Sequence, residues 1–109
     1  MEQRWSPRTR VNLDVDLLVK GKEIGGCRTR DIGMGGAFVE VSKDLQIEKA
    51  IVELIFKLGS SNQISRHKIK AMIVRVAQDG VGLMFRDFDA SAFRSLQEIL
   101  QYAQSHTMH

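Results

Sequence analysis

The sequence predicts an all-β domain: a small six-stranded antiparallel β-barrel followed by one C-terminal helix. Three observations favour this fold class. About six short runs of alternating or β-branched apolar residues recur along the chain, glycine-containing turns separate them, and helical periodicity is confined to the segment after Phe85. Strands first and a helix last, without βαβ alternation, are typical of a barrel whose open end or flank is covered by the helix.

Length and composition predict a single domain. The chain has 109 residues, of which 43% are hydrophobic, and this is enough for one compact core but too little for two. Three arginines fall within the first ten residues. We therefore expect residues 1–10 to form a flexible arginine arm and residues 11–109 to form the barrel with its C-terminal helix.

The first strand has the clearest signal. Apolar residues at positions 11, 13, 15 and 17 alternate with polar ones, which is the period of a strand with one buried and one solvent-facing side. Gly21-Lys22 predicts a two-residue hairpin turn into a second strand, Glu23–Thr29. The other predicted strands are Ala37–Val41, Ala50–Leu58, Ile64–Val76 and Val81–Phe85.

The last element is predicted to be a helix over Ala90–Ala103. Asp89 precedes it and can cap its N-terminus. Its apolar residues recur at helical spacing and predict one buried face. The residues of that predicted face are Phe93, Leu96, Ile99, Leu100 and Ala103.

Composition excludes several classes of function. Cys27 is the only cysteine and the three histidines have no cysteine at ligand spacing, so we expect no metal site. No apolar run approaches the roughly 20 residues of a membrane span, and none follows the N-terminus as in a secretory signal. We therefore expect a cytoplasmic protein without membrane insertion. The absence of a recognisable nucleophile–base pair or carboxylate dyad argues against an enzyme.

The charge pattern points to a small anionic partner more than to nucleic acid. The net charge is +3, but 13 acidic residues are mixed among 16 basic ones, and aromatic residues make up only 6%. A nonspecific nucleic-acid binder with a basic arm is an alternative, although this mixing and the few aromatic residues disfavour it. We expect no nucleic-acid partner.

The segment Arg4-Trp5-Ser6-Pro7-Arg8 contains the first candidate binding residues. Two guanidinium groups four residues apart on a non-helical arm can each bind phosphate, or guanine O6 and N7, in a bidentate manner. Trp5 between them can stack on a base. Taken alone, the same residues also fit solvated arginines on a frayed end, with the tryptophan as an anchor.

The segment Asp31-Ile32-Gly33-Met34-Gly35-Gly36 contains the second set. A carboxylate beside exposed backbone N–H groups can accept hydrogen bonds from guanine N1–H and N2–H and allow a ligand to approach closely. Such a segment is also compatible with an ordinary turn between two strands. The residues alone leave both interpretations open.

Together these segments resemble the PilZ domain family. Arg4-Trp5-Ser6-Pro7-Arg8 matches its RxxxR motif, residues 31–36 resemble its [D/N]xSxxG motif, and Val81-Gly82-Leu83-Met84-Phe85 is similar to its late glycine-containing strand. The resemblance extends from Arg4 to about Ala103. It implies that residues 11–109 form a PilZ-like six-stranded barrel that binds cyclic di-GMP, with the arginine arm wrapping over the ligand.

The resemblance also implies roles for individual residues. Arg4 and Arg8 would hold phosphates and guanine edges, Asp31 would accept from a guanine, and Gly36 would allow close approach. Gly33 stands where the family motif has serine, so one hydroxyl is missing. The further candidates near the same ligand are Trp5, Arg10, Arg30 and Gly35.

These inferences predict a cyclic di-GMP receptor or adaptor that acts on an unidentified effector protein and needs no other cofactor. Ligand would close the N-terminal arm over the barrel. The alternative is a PilZ-like protein-interaction module that has lost nucleotide binding, which the glycine at position 33 would permit. Retention of both arginines argues for the receptor.

Overall fold

The computed structural model describes residues 8–41, 50–60, 62–86 and 89–106. These residues form strands separated by tight turns, followed by one long helix. The elements are β1 (Thr9–Arg10), β2 (Asp14–Val19), β3 (Lys22–Ile32), β4 (Gly36–Glu40), β5 (Ile51–Ser60), β6 (Gln63–Ala77), β7 (Gly80–Phe85) and α1 (Ala90–Ser105).

Strand pairing closes the sheet into a barrel. The strand order is β1-β3-β2-β5-β6-β7-β4, and β4 also pairs with β3. Every pairing is antiparallel. Strands β2 to β7 therefore form a closed six-stranded ring, which confirms the predicted fold class. Strand β1 is an addition of two residues on the edge of β3, too short to show a periodic pattern in the sequence.

The chain breaks its strand pairing between β1 and β2, where a single strand was predicted from Val11. Thr29 of β3 bridges this break, because its hydroxyl donates to the Val11 carbonyl at 2.6 Å and accepts from the Leu13 N–H at 2.9 Å. Val11 and Leu13 remain buried. The predicted alternation of buried residues therefore holds, although the strand itself begins only at Asp14.

The hairpin between β2 and β3 lies one residue earlier than predicted. Its two central residues are Lys20 and Gly21, with φ of 52° and 81°, and Val19 pairs with Lys22. A type I′ turn needs a positive φ at both central positions. The predicted turn, Gly21-Lys22, has glycine as its first central residue, whereas in the structure the first central residue is Lys20 and Gly21 is the second.

Asp16 was predicted on the solvent face but is only 8% exposed. It lies opposite a bulge in β3 at Gly25 and Gly26, where two residues face one. The Gly26 N–H donates to Asp16 Oδ1 at 3.3 Å, and Lys57 Nζ lies 3.1 Å from Oδ2. The bulge and the lysine together cover this carboxylate and supply its partners.

The helix completes the core at one end of the barrel. Leu96, Ile99 and Ala103 are fully buried in the same apolar cluster as the strand residues, and Asp89 Oδ1 accepts from the Ala92 N–H at 2.7 Å, which confirms the predicted cap. Phe93, predicted to be buried, is 43% exposed. The buried face runs through positions 92, 96, 99 and 103 instead, so Phe93 points about 100° away from it.

Candidate functional site

An ion pair joins the two segments that the sequence singled out. Arg8 Nη1 donates to Asp31 Oδ1 at 2.6 Å, and the two side chains are 35% and 25% exposed. The contact follows from the pairing of β1 with β3, in which Thr9 lies opposite Ile32 and Arg10 opposite Asp31. Residues 23 positions apart in the chain therefore meet on the outer surface of the barrel.

We call this surface the Asp31 face; it consists of Arg8, Arg10, Arg30, Asp31 and Phe38. Phe38 lies directly across the strand pair from Asp31. Arg10 is exposed and has no ion-pair partner among the residues that the structure describes. A guanidinium group without a carboxylate is therefore available beside the Arg8–Asp31 pair.

Arg30 occupies the extra position of a second bulge in β3 and is held from three sides. It forms ion pairs with Asp79 and, at 3.2 Å, with Glu40, and its guanidinium lies 4.3 Å from the centroid of the Phe38 ring. The hydrogen bond from Arg30 lowers the pKa of Asp79, and the same bond raises the pKa of Arg30. Arg30 is therefore fixed in place by its neighbours, in contrast to a freely solvated arginine.

Two of the three arginines on this face are already paired with carboxylates. Arg8 pairs with Asp31, and Arg30 pairs with Glu40 and Asp79. An anionic ligand therefore meets the guanidinium of Arg10 directly, but must displace a carboxylate to reach Arg8 or Arg30. Arg4 and Trp5, the remaining predicted residues of the arm, lie outside the described residues.

The glycine segment forms the turn between β3 and β4. The Gly33 N–H donates to the Gly36 carbonyl and the Phe85 N–H to the Gly35 carbonyl, both at 2.9 Å. Gly33 is buried, while Gly35 is exposed, with open space where a Cβ would stand. The described glycines with positive φ lie elsewhere in the chain, so backbone conformation does not by itself exclude a larger residue at position 33.

Gly36 has a structural task that the sequence did not reveal. A Cβ at this position would overlap the carbonyl oxygen of Leu83 on the neighbouring strand β7. The absence of a side chain therefore permits β4 and β7 to pair closely, and this pairing is part of barrel closure. At Gly36 it is the backbone of β7 that approaches closely, whether or not a ligand also approaches there.

The comparison with known proteins agrees with this geometry. The family model described as "PilZ domain" matches residues 2–102. The chain belongs to the PilZ domain family. No curated protein matches the sequence of this PilZ domain.

Solved structures show the same fold. One is the PilZ domain of CeSA from a cellulose-synthesizing bacterium, with a TM-score of 0.75 and 17% identity, over 88% of this chain and 96% of that one. Another is the Bacillus subtilis inhibitor of motility (MotI/DgrA), with a TM-score of 0.72 and 21% identity, over 96% of this chain. This PilZ domain covers 51% of the MotI/DgrA chain, or about half of its length.

PilZ domains are binding domains and not a catalytic family. In this chain one set of three side chains has the residue types of a catalytic triad. These are Ser65 and His67 of β6 and Glu98 of α1, which lie together. Both the Ser65 hydroxyl, at 3.3 Å, and a Glu98 oxygen, at 3.4 Å, contact the same His67 nitrogen, Nε2. A triad needs one contact on each ring nitrogen so that the carboxylate orients the base. The three side chains therefore lack the arrangement of a catalytic triad.

Two further features of the structure concern a metal site and a membrane-spanning helix. Within residues 8–41, 50–60, 62–86 and 89–106, no group of three or more histidine, cysteine or acidic side chains is arranged to hold a metal ion. Among the same residues, no helix has the length and apolar character needed to cross a membrane.

Proposed function

We propose that this PilZ domain is a cytoplasmic receptor that binds cyclic di-GMP on the Asp31 face. The observation that carries the proposal is the contact between Arg8 and Asp31. Through this contact the second arginine of the RxxxR motif is hydrogen-bonded directly to the aspartate of the second motif. A guanine can donate N1–H and N2–H to such a carboxylate, and a phosphate can accept from such a guanidinium.

Binding would proceed by exchange of partners. In the free protein Arg8 and Asp31 neutralise each other. The ligand would take Arg8 with a phosphate oxygen and Asp31 with a guanine edge, so one ion pair is replaced by two charge-assisted sets of hydrogen bonds. Each such bond contributes about 1.5 to 3 kcal/mol. The opened pair is partly exposed to water, where an ion pair contributes only about 0 to 1 kcal/mol.

The exchange would also close the N-terminal arm. Residues 8–10 already lie against β3, so the change falls on the residues before Arg8. Arg4 and Trp5 would then fold over the ligand, with Arg4 on a phosphate and Trp5 stacked on a base. A closed arm presents a new surface to an effector protein, and this makes the domain a ligand-operated adaptor.

A second candidate function is a protein-interaction module that does not bind nucleotide. The observation in its favour is that Arg8 is already paired with Asp31, and Arg30 with Glu40 and Asp79. The glycine at position 33, in place of the family's serine, would weaken binding further. In this case Arg8 and Asp31 would serve only to fix the start of β1.

Isothermal titration calorimetry with cyclic di-GMP distinguishes the two functions. We expect the wild type to bind, and Arg8→Ala and Asp31→Asn each to weaken binding at least about tenfold, because each loses charge-assisted hydrogen bonds. The matched control is Arg94→Ala, which removes an exposed arginine on α1, and should bind as the wild type does. No heat of binding with the folded wild type would favour the interaction module.

An NMR titration of the labelled protein locates the ligand. We expect shift changes in residues 2–10 and 31–36, with few in α1. GTP and a single-stranded oligonucleotide serve as controls for general anion binding. Saturating cyclic di-GMP without shifts in those two segments would contradict the proposed site, and equal shifts with the oligonucleotide would indicate nonspecific binding of nucleic acid.

A further inference from the structure

Exposed apolar side chains are concentrated on one part of the barrel's outer surface. In the described residues six large hydrophobic side chains are more than 40% exposed, and four of them belong to this area. We call the area the methionine patch; it consists of Met34, Ile51, Met72, Val74 and Met84.

The sheet register brings these side chains together. Ile51 of β5 lies opposite Met72 of β6, and Met72 lies opposite Met84 of β7. Directly paired residues of antiparallel strands place their side chains on the same face, with Cβ atoms about 5 Å apart. The three residues therefore form a continuous apolar row across three strands.

The row extends at both of its flanks. Val74 is the extra residue of a bulge in β6 and is 49% exposed. On the other side Met84 pairs with Gly36, and Met34, 41% exposed, lies in the turn just before it. The methionine patch thus begins at the same turn that borders the Asp31 face. Scattered single exposed apolar residues are normal, but a contiguous patch marks an interaction surface.

Two arginines, Arg75 and Arg86, border the methionine patch. Arg86 directs Nη1 to the Met72 sulfur at 3.5 Å, and Arg75 follows Val74 on β6. Within the described part of the chain Arg86 forms no ion pair with an acidic side chain. Arg75 is close enough to Asp79 to help lower the pKa of that carboxyl, but Asp79 is already hydrogen-bonded to Arg30. The nearest outward acid on β5, Glu53, lies opposite Lys70. The rim of the patch is therefore positively charged.

We propose that the methionine patch docks an amphipathic helix of a partner protein, with an apolar face flanked by acidic residues. Methionine side chains adapt to varied apolar surfaces, and the partner's carboxylates would pair with Arg75 and Arg86. A second copy of the chain would bring the same cations to the interface and is therefore disfavoured. This surface supplies the effector contact of the proposed function, but its test needs no cyclic di-GMP.

Methionine methyl groups report directly on the patch. Three of the five methionines, Met34, Met72 and Met84, belong to it, whereas Met1 and Met108 lie near the chain ends. The probe is a synthetic helical peptide with a leucine face and glutamate flanks, added to protein labelled with ¹³C at the methionine methyl groups. We expect shifts of the three patch signals, with the signals of Met1 and Met108 unchanged.

Substitutions and a charge-reversed peptide complete the test. Ile51→Glu and Met84→Glu should each weaken peptide binding about tenfold or more, as loss of a central contact does. Ile64→Glu is the matched control, because Ile64 is 56% exposed but lies outside the patch. A peptide with lysine flanks should bind at least about fivefold more weakly than the glutamate peptide.

Four outcomes would overturn this proposal. They are absent or uniform methyl shifts with the glutamate peptide, equal affinity for both peptides, concentration-dependent shifts of the patch signals without peptide, and shifts produced by phosphatidylglycerol vesicles alone. The third would indicate self-association and the fourth a lipid surface. None of them depends on cyclic di-GMP, so failure here and failure of the proposed ligand are separate results.

Discussion

Arg8 donates to Asp31 across 23 residues of sequence, and this contact attaches the start of the chain to β3. Both side chains are partly open to water, at 35% and 25% exposure. An ion pair in that setting can orient the two side chains. It contributes so little free energy that a ligand able to bind both groups can replace it.

A double-mutant cycle measures how easily the Arg8–Asp31 pair can open. For Arg8→Ala, Asp31→Asn and the double variant, urea unfolding without ligand should give a coupling free energy of about 0.2 to 1 kcal/mol. A coupling above about 2 kcal/mol would mean that the pair is mainly structural. Ligand exchange at this position would then be too costly to support the proposed mechanism.

Restoring the family's hydroxyl at position 33 should tighten cyclic di-GMP binding. Gly33→Ser adds one hydrogen-bonding group, which contributes about 0.5 to 1.5 kcal/mol, or roughly two- to tenfold in affinity. Calorimetry on both proteins provides the measurement. Weaker binding by the serine variant would show that this buried position cannot accept the added atoms.

Two neighbouring glycines should respond differently to alanine. Gly36→Ala forces a Cβ into the Leu83 carbonyl, and we expect a loss of about 1 to 3 kcal/mol in the free energy of unfolding, as for other overpacked sites. Gly35→Ala is the matched control, because nothing lies within 4 Å of the point where its Cβ would stand. Denaturant unfolding of both variants compares them, and equal losses would refute the close-approach role of Gly36.

The Arg30–Asp79 pair should contribute to stability in a defined pH range. Arg30 lowers the pKa of Asp79 from its ordinary value of 3.8. A depressed carboxyl pKa stabilises the fold above the ordinary value, and this contribution is lost as the pH falls through the folded-state value. We therefore expect the Asp79→Asn variant to lose less unfolding free energy than the wild type as the pH falls below 3.8.

Arg30→Met provides the check on this assignment. It removes the largest cause of the lowered pKa of Asp79 while keeping a side chain that can pack on Phe38, so its acid profile should approach that of Asp79→Asn. Urea unfolding at a series of pH values compares the three proteins. Because the pair is exposed to water, the effect is small. A profile for Arg30→Met that matches the wild type would contradict the assignment.

The fold could be predicted from sequence because its signals are local. Alternation at Val11 to Leu17, the glycine turns and the Asp89 cap each depend on a few adjacent residues. The errors have equally local causes: Lys20 adopts a positive φ that glycine usually supplies, and Asp16 is covered by a bulge that a period-two pattern does not contain. Phe93 fits an apolar helix stripe, but Ala92 lies on the side that faces the barrel.

The geometry of the candidate site was predictable in part. The resemblance of two motifs suggested that Arg8 and Asp31 belong to one site, and the structure brings them together. The neutralisation of Arg30 was not predictable, because its partner Asp79 lies 49 residues away and belongs to the turn before β7. Pairing across a closed barrel determines that contact, and no periodicity in a single strand encodes it.

The fit of Gly36 against Leu83 has a consequence for how such sequences evolve and are classified. A PilZ domain that does not bind nucleotide would still favour glycine here, because a side chain at this position would weaken the pairing of β4 with β7. The presence of Gly36 at the end of the motif therefore reflects the needs of the fold and says little about whether a PilZ domain binds a nucleotide. Arg8 and Asp31 lie on the outer surface, where substitutions disturb the fold little. If the proposed function is correct, their retention, and not that of the glycine, distinguishes a receptor from a domain that keeps only the fold.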